Sequence, residues 1–255
     1  MMPSMKNLFF SICLVLLLFS CGYKPITYQP TTMQIPEPAK KGEVSWLGTV
    51  GARHFEVQLA YAPINRLALQ GGIFVWGRGP SGSRFSRNIG LGYIQPVGTN
   101  HQFGFRGIFG KHEGFFDQVI IHNKKNSYGA RYLNDYLYHS YGFQIDYTLK
   151  MKNLNFCFGA QFTRADYTRS IMKQSDELSQ YPNGPYIHNH HRENFQTNFI
   201  HTSAGILFHL NDFISFYSCY TTSSLAMLRD IPAHEFQHSF DKFFISNSLI
   251  ITLRK

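Results

Sequence analysis

Residues 234–238 read His234-Glu235-Phe236-Gln237-His238, a literal H-E-x-x-H pattern. On a helix this spacing places two imidazoles on one face to bind zinc, and the glutamate activates a water molecule. The surroundings argue against such a helix, because Pro232 comes just before the pattern and no further Glu or His follows His238 in this sequence. We therefore expect a structural or interaction role rather than an enzyme. The alternative is a zinc-dependent hydrolase that uses His234, Glu235 and His238.

A second group of histidines, His188, His190 and His191, lies in a stretch that we predict to be a loop between the seventh and eighth strands. If this loop and the loop that contains His234 and His238 share one rim, the imidazoles form a candidate zinc site. The preferred interpretation is that these side chains are polar rim residues that contact water and lipid headgroups. We expect no metal and no cofactor.

The secondary structure that carries these candidate side chains is predicted to be β-strands and the loops between them. Between residues 141 and 162 the apolar side chains recur at every second position in two arms joined by the turn Met151-Lys152-Asn153. A period of two indicates a strand with one apolar and one polar face. Each arm has about the nine to eleven residues with which a tilted strand crosses a bilayer. Lipid outside and a polar lumen inside would produce this pattern.

The same alternation predicts ten strands, and the connections between them alternate between short and long. The predicted spans are 42–50, 53–62, 67–77, 86–96, 101–110, 137–150, 154–167, 198–210, 213–223 and 242–254. An even strand number with short turns at one end is typical of outer-membrane barrels, and aromatic girdles would account for 16% aromatic residues. We predict an all-β, antiparallel up-and-down barrel with short periplasmic turns and longer external loops. Alternation alone does not distinguish inside from outside, so a soluble periplasmic ligand-binding barrel is a second alternative.

Three charged residues, Glu56, Arg106 and Asp146, fall on the polar face of the predicted strands. In a barrel that face lines the lumen, where buried charges must be paired. We interpret the three residues as a lumenal charge network that plugs a narrow barrel. An ion or proton path, or a pair of catalytic carboxylates, is the alternative.

The N-terminus has the features of an export signal. A basic residue, Lys6, precedes an apolar run that ends at Ser20-Cys21, which predicts a signal peptide over residues 1–20. Leu18-Phe19-Ser20-Cys21 resembles the loose lipobox of bacterial lipoproteins in Bacteroidota, and the resemblance implies lipidation of Cys21 and an anchor that faces the periplasm. Simple signal-peptidase cleavage is the alternative. Residues 21–41 are proline-rich and predict a lipid-anchored linker, and residues 42–255 form the barrel domain.

The two remaining cysteines, Cys157 and Cys219, fall on the seventh and ninth predicted strands. Two inter-strand spacings of about 4.8 Å each exceed the reach of a disulfide. We therefore predict two free thiols.

The net charge of +9 points to anionic partners. Nucleic acid is not expected, because the basic residues form no stripe. We predict contacts with outer-membrane lipid, including lipopolysaccharide phosphates, through basic residues of the predicted external loops: Arg78, Arg84, Arg87, Lys111, Lys124, Lys125 and Arg131. A solvated fringe is the alternative for these residues, and the sequence identifies no protein partner.

The segment KGEVSWLGTVGARHFEVQLAYAPINRLALQGG and the later NIGLGYIQPVG give a further indication. They resemble a group of uncharacterised outer-membrane β-barrel lipoproteins of Bacteroidota. The resemblance implies a bacterial outer-membrane location with a lipid-anchored, periplasmic N-terminus. Its motifs are structural and imply no particular activity.

Overall fold

The computed structural model describes residues 40–50, 54–79, 82–123, 128–175, 188–228 and 243–253. Ten strands account for almost all of this part of the chain. Their bounds are β1 Val44–Val50, β2 His54–Ile64, β3 Leu67–Gly79, β4 Gly82–Val97, β5 His101–Asn123, β6 Tyr128–Lys150, β7 Leu154–Ser175, β8 His188–His209, β9 Ile214–Leu228 and β10 Phe243–Leu253. Within the described ranges, no helix is both long and apolar enough to span a membrane.

Every strand pairs antiparallel with the next one along the chain, and β1 pairs with β10. The sheet is therefore a closed ten-stranded up-and-down barrel, which confirms the predicted fold class. The closing seam between β1 and β10 contains six residue pairs, from Val44 opposite Leu253 to Thr49 opposite Ser248.

The strands are strongly tilted. A row of directly opposite residues that starts at Tyr167 of β7 and runs once around the barrel returns to β7 at Asn155, twelve residues lower (167 to 155). The row passes through Tyr138, His112, Ser86, Phe74, Glu56, Thr49, Ser248, Tyr217 and Leu207. With about 4.8 Å between strands and about 3.4 Å of rise per residue, this shift corresponds to a tilt of about 40°. Each residue then advances about 2.6 Å along the barrel axis.

One end of the barrel has short connections. Residues 65–66, 98–100, 151–153 and 210–213 join the strand pairs there, and Gly98 adopts a positive φ of 66° in the second of these turns. β1 begins and β10 ends at this same end, because Val44 lies opposite both Tyr61 and Leu253. The connections at the other end, apart from the strand residues that lead into them, lie outside the described residues.

The barrel wall is much higher on one side, which corrects the predicted spans. β5, β6, β7 and β8 have 22 or 23 residues each, whereas strands over 101–110, 137–150, 154–167 and 198–210 were predicted. The predicted loop between β3 and β4 is also shorter, since these strands pair as far as Gly79 opposite Gly82. The prediction failed at this end because the outward residues become charged, for example Lys111, Glu113 and Asp135, so the apolar alternation stops while the strand continues.

Candidate functional site

The outer surface of the barrel is apolar and the lumen is mainly polar. On β6 the outward side chains Phe143 and Ile145 are 51% and 43% exposed, whereas the inward Gln144 is 1% exposed. The same alternation continues around the barrel, with Leu59, Ile73, Ile89, Leu91, Phe105, Phe158, Phe162, Ile200, Ile206 and Leu249 all exposed. A soluble ligand-binding barrel requires the opposite arrangement, with its apolar face turned inward.

The lumen contains a buried ion pair. Arg106 of β5 donates from Nη2 to Oδ1 of Asp146 on β6 at 2.9 Å, and from Nη1 to Oε1 of Gln70 on β3 at 3.3 Å. Gln144 donates from Nε2 to the same Asp146 oxygen at 3.0 Å. The guanidinium therefore links three strands, and its side chain is completely buried.

Glycines make room for this ion pair. Gly104 lies directly opposite Asp146, and a Cβ atom there would collide with the carboxylate. Gly92 lies opposite Arg106, and a Cβ atom there would lie 3.0 Å from Cγ of the arginine. The two glycines therefore leave space on the lumenal face of the sheet for the side chains of Asp146 and Arg106.

Glu56, the third predicted member of the lumenal network, is completely buried on the inner face of β2. Gln58 donates from Nε2 to Oε1 of Glu56 at 2.7 Å. All three predicted charged residues thus lie in the lumen, and two of them form a direct pair.

A row of aromatic rings, not predicted from the sequence, lines the upper lumen from β5 to β8. His112, Tyr138, Tyr167 and Phe195 are directly opposite one another on β5 to β8. Successive ring centroids are 4.4, 4.7 and 4.5 Å apart, and the Tyr167 and Phe195 rings are nearly parallel at 4°. Tyr138, Tyr167 and Phe195 of this row belong to a buried cluster that also contains Phe199.

Two buried lumenal histidines are held by hydroxyl groups. His112 hydrogen-bonds through Nδ1 to Ser86 Oγ at 2.9 Å and through Nε2 to Ser140 Oγ at 2.8 Å. His201 hydrogen-bonds through Nδ1 to Ser223 Oγ at 2.8 Å. Both nitrogens of the His112 ring are thus engaged by serines, so this ring serves as a structural hydrogen-bonding group.

The predicted metal candidates do not form a loop cluster in the described part of the chain. The backbone of His188, His190 and His191 belongs to β8 and pairs with β7, which corrects their placement in a loop. His234, Glu235 and His238 lie outside the described residues, as does Cys21. Within the described ranges no group of three or more His, Cys, Asp or Glu residues is placed to hold a metal ion.

Cys157 and Cys219 are free thiols on β7 and β9, which confirms that prediction. Gly205 of β8 lies directly between them, opposite both. A Cβ atom at Gly205 would approach the ring of Tyr217 to 2.6 Å, so the glycine accommodates the ring. Both sulfurs are buried in an apolar lumenal cluster with Tyr217, Leu47, Leu207 and Ile250.

The basic residues predicted in external loops lie mostly in strands. Arg78 belongs to β3, Arg84 and Arg87 to β4, Lys111 to β5 and Arg131 to β6, while Lys124 and Lys125 lie outside the described residues. Arg84 faces the lumen and is 3% exposed, so it cannot contact lipid from the outer rim as predicted. Arg87 and Lys111 lie opposite each other on the outer surface.

Comparison with known proteins assigns no family to this chain. No protein-family model and no curated protein sequence matches this chain. Solved structures that resemble it include the translocator domain of the autotransporter NalP from Neisseria meningitidis, with a TM-score of 0.36, 8% identity and coverage of 82% of this chain and 85% of that chain. The toluene transporter TbuX from Ralstonia pickettii gives a TM-score of 0.37, 10% identity and coverage of 86% and 72%. The CymD monoaromatic hydrocarbon channel gives 0.34, 10%, 84% and 87%.

Proposed function

We propose that this chain is a lipid-anchored barrel of a bacterial outer membrane, with a structural or interaction role and no catalytic activity. The observation that carries the proposal is the polarity of the barrel, apolar outside and polar inside. Such a surface is stable in a bilayer and would aggregate in water.

The height of the apolar band supports this proposal. On the outer face of β6, apolar side chains run from Tyr141 to Leu149, which are eight residues apart. At 2.6 Å of axial rise per residue the band is about 21 Å high, close to the band of about 25 Å on outer-membrane barrels. Above it the outer face carries ion pairs, such as Arg164 with Asp166 at 2.7 Å and Arg169 with Asp135 at 2.8 Å.

The filled lumen favours a sealed barrel over a channel. Arg106, Gln144 and Glu56 extend into the lumen from β5, β6 and β2 and are at most 1% exposed. Above them the aromatic row adds a layer of buried rings from β5 to β8. We propose that a sealed barrel of this kind acts through its outer surface.

The proposed anchor fits the position of the barrel N-terminus. The chain reaches β1 at the short-turn end, where the Lys41 backbone N–H donates to Oδ1 of Asn65 at 2.9 Å. In outer-membrane barrels short turns face the periplasm. A lipid on Cys21 would therefore insert into the periplasmic leaflet, and a Cys21→Ala variant should lose acyl-chain labelling while the barrel still assembles.

Membrane fractionation tests the proposal directly. The protein should remain in the outer-membrane fraction after carbonate extraction, and its unboiled form should migrate differently from its boiled form in a detergent gel. Release by carbonate without a heat shift would refute a membrane-embedded barrel.

The non-enzymatic role is tested separately through the H-E-x-x-H pattern. His238→Ala and Glu235→Ala variants should keep the metal content of the purified wild-type protein. A stoichiometric zinc ion that disappears with His238→Ala would support the hydrolase alternative instead.

A further inference from the structure

Two apolar grooves lie side by side on the outer face of the barrel. The first surrounds Gly107 of β5 and has a volume of about 850 Å³, with Leu91 of β4 and Phe143 of β6 on either side. A Cβ atom at Gly107 would have no heavy atom within 4 Å. The missing side chain thus opens a gap in a wall otherwise covered by large apolar residues.

The second groove surrounds Gly71 of β3 and has a volume of about 620 Å³. Leu59 of β2 and Ile73 of β3 form its walls. Ile89 lies opposite Gly71, and Leu91 lies opposite Gly107. These two β4 side chains are 64% and 51% exposed, so they form a ridge between the grooves.

Each groove has an arginine in its lining. Arg164 contributes to the first groove and Arg87 to the second. Lys111 lies directly opposite Arg87 on the same outer face, and like charges in this position destabilise a sheet. Neither Arg87 nor Lys111 makes an ion pair within the described ranges, whereas Arg164 pairs with Asp166 at 2.7 Å. Arg87 and Lys111 lie on the neighbouring strands β4 and β5, whereas Arg164 lies on β7, two strands beyond Lys111. From the register and the tilt, the three cations have similar heights along the barrel axis, but Arg164 is about 12 Å from Lys111 around the barrel.

We propose that this face binds one lipopolysaccharide-type lipid, with acyl chains in the two grooves and a phosphate on Arg87 and Lys111. The proposal rests on the membrane location proposed above and adds a specific lipid to it. Bulk lipid is as apolar as the groove walls, so apolar contact alone does not favour one lipid over another. The shape of the grooves fits acyl chains, and the cations select a lipid that carries a phosphate. A phosphate would relieve the repulsion between Arg87 and Lys111 through charge-assisted hydrogen bonds. The grooves extend below the cations toward the centre of the band, which is how acyl chains extend from a phosphorylated headgroup.

The test is native mass spectrometry of the full-length barrel, released in mild detergent and titrated with purified diphosphoryl lipid A. The wild-type protein should bind one lipid A molecule and discriminate against dephosphorylated lipid A and phosphatidylglycerol. An Arg87→Gln/Lys111→Gln variant should lose about tenfold or more in affinity, because two charge-assisted contacts disappear. A Gly71→Leu/Gly107→Leu variant should lose binding by filling the grooves.

Matched controls test whether lost binding comes from this site or from any loss of positive charge or any added apolar side chain. Arg66→Gln/Lys152→Gln removes two cations at the short-turn end, and Ala204→Leu adds an outward leucine on β8; both should bind as wild type does. Equal binding by all variants, or equal binding of the dephosphorylated lipid or phosphatidylglycerol, would overturn the proposal. A wild-type protein that shows the heat shift but retains no lipid A refutes this lipid site alone. A wild-type protein without the heat shift refutes the membrane barrel itself.

Discussion

Replacing Asp146 with asparagine should strongly destabilise the barrel. The substitution keeps the shape of the side chain but removes the negative charge that lies 2.9 Å from the completely buried Arg106 guanidinium. Removing one partner of a buried ion pair leaves the other charge uncompensated and costs about 3–5 kcal/mol. The amide can still accept a hydrogen bond from Arg106, so we expect a loss of about 3 kcal/mol in the free energy of unfolding.

The assay is urea unfolding of the refolded barrel in detergent, followed by tryptophan fluorescence. Asp135→Asn is the matched control, because Asp135 forms a pair of similar length, 2.8 Å, with Arg169 on the exposed outer face. An exposed pair contributes about 0.2–1 kcal/mol, so this variant should unfold almost as wild type does. An Asp146→Asn variant that loses no more than Asp135→Asn would refute the argument, since it would mean that water already solvates Arg106. An Arg106→Gln/Asp146→Asn double variant should lose less than the sum of the two single variants.

Three further predictions concern the glycines, the thiols and the lumen. Gly104→Ala should lower the free energy of unfolding by about 1–3 kcal/mol, because the added Cβ atom collides with Asp146. Gly107→Ala on the open outer face should change the free energy of unfolding little. Equal effects of the two substitutions in urea titration would contradict the packing argument. Cys157 and Cys219 are buried, so both should react with a maleimide only after the barrel unfolds; rapid labelling of the native protein would show that the lumen is open. Planar bilayers that contain the purified barrel should show no steady conductance, and discrete open-channel steps would contradict a sealed lumen.

The fold was predictable wherever the barrel has an apolar band. Between Phe103 and Phe109, or between Tyr141 and Leu149, alternate residues contact opposite environments, and the sequence shows this directly. Above the band the outward residues become polar, so β8 was predicted to begin at 198 instead of His188. Alternation alone does not give the direction of the apolar face, because a soluble barrel and a membrane barrel have the same period; the outward direction was predicted from the pattern of short and long connections.

The candidate sites depend on register, which the sequence does not encode locally. The lumenal position of Arg106 and Asp146 followed from alternation, but their pairing depends on Gly104 lying opposite Asp146 and leaving space for its carboxylate. The aromatic row requires three consecutive registers to bring His112 to Phe195. The grooves likewise appear only when the neighbours of the outward-facing glycines on adjacent strands are known.

The seam between β1 and β10 has a consequence for how the barrel assembles. Each of the other strand pairs joins neighbours in the chain, but the seam joins Ser45 to Thr252 and Thr49 to Ser248, which are 207 and 199 residues apart. Contacts of such high sequence separation form late, because the chain between them must be ordered first. The seam is also short, with six residue pairs. Closure is therefore the step that commits the chain to a barrel, and hydrogen exchange in β1 and β10 should report local opening before any other described strand pair separates.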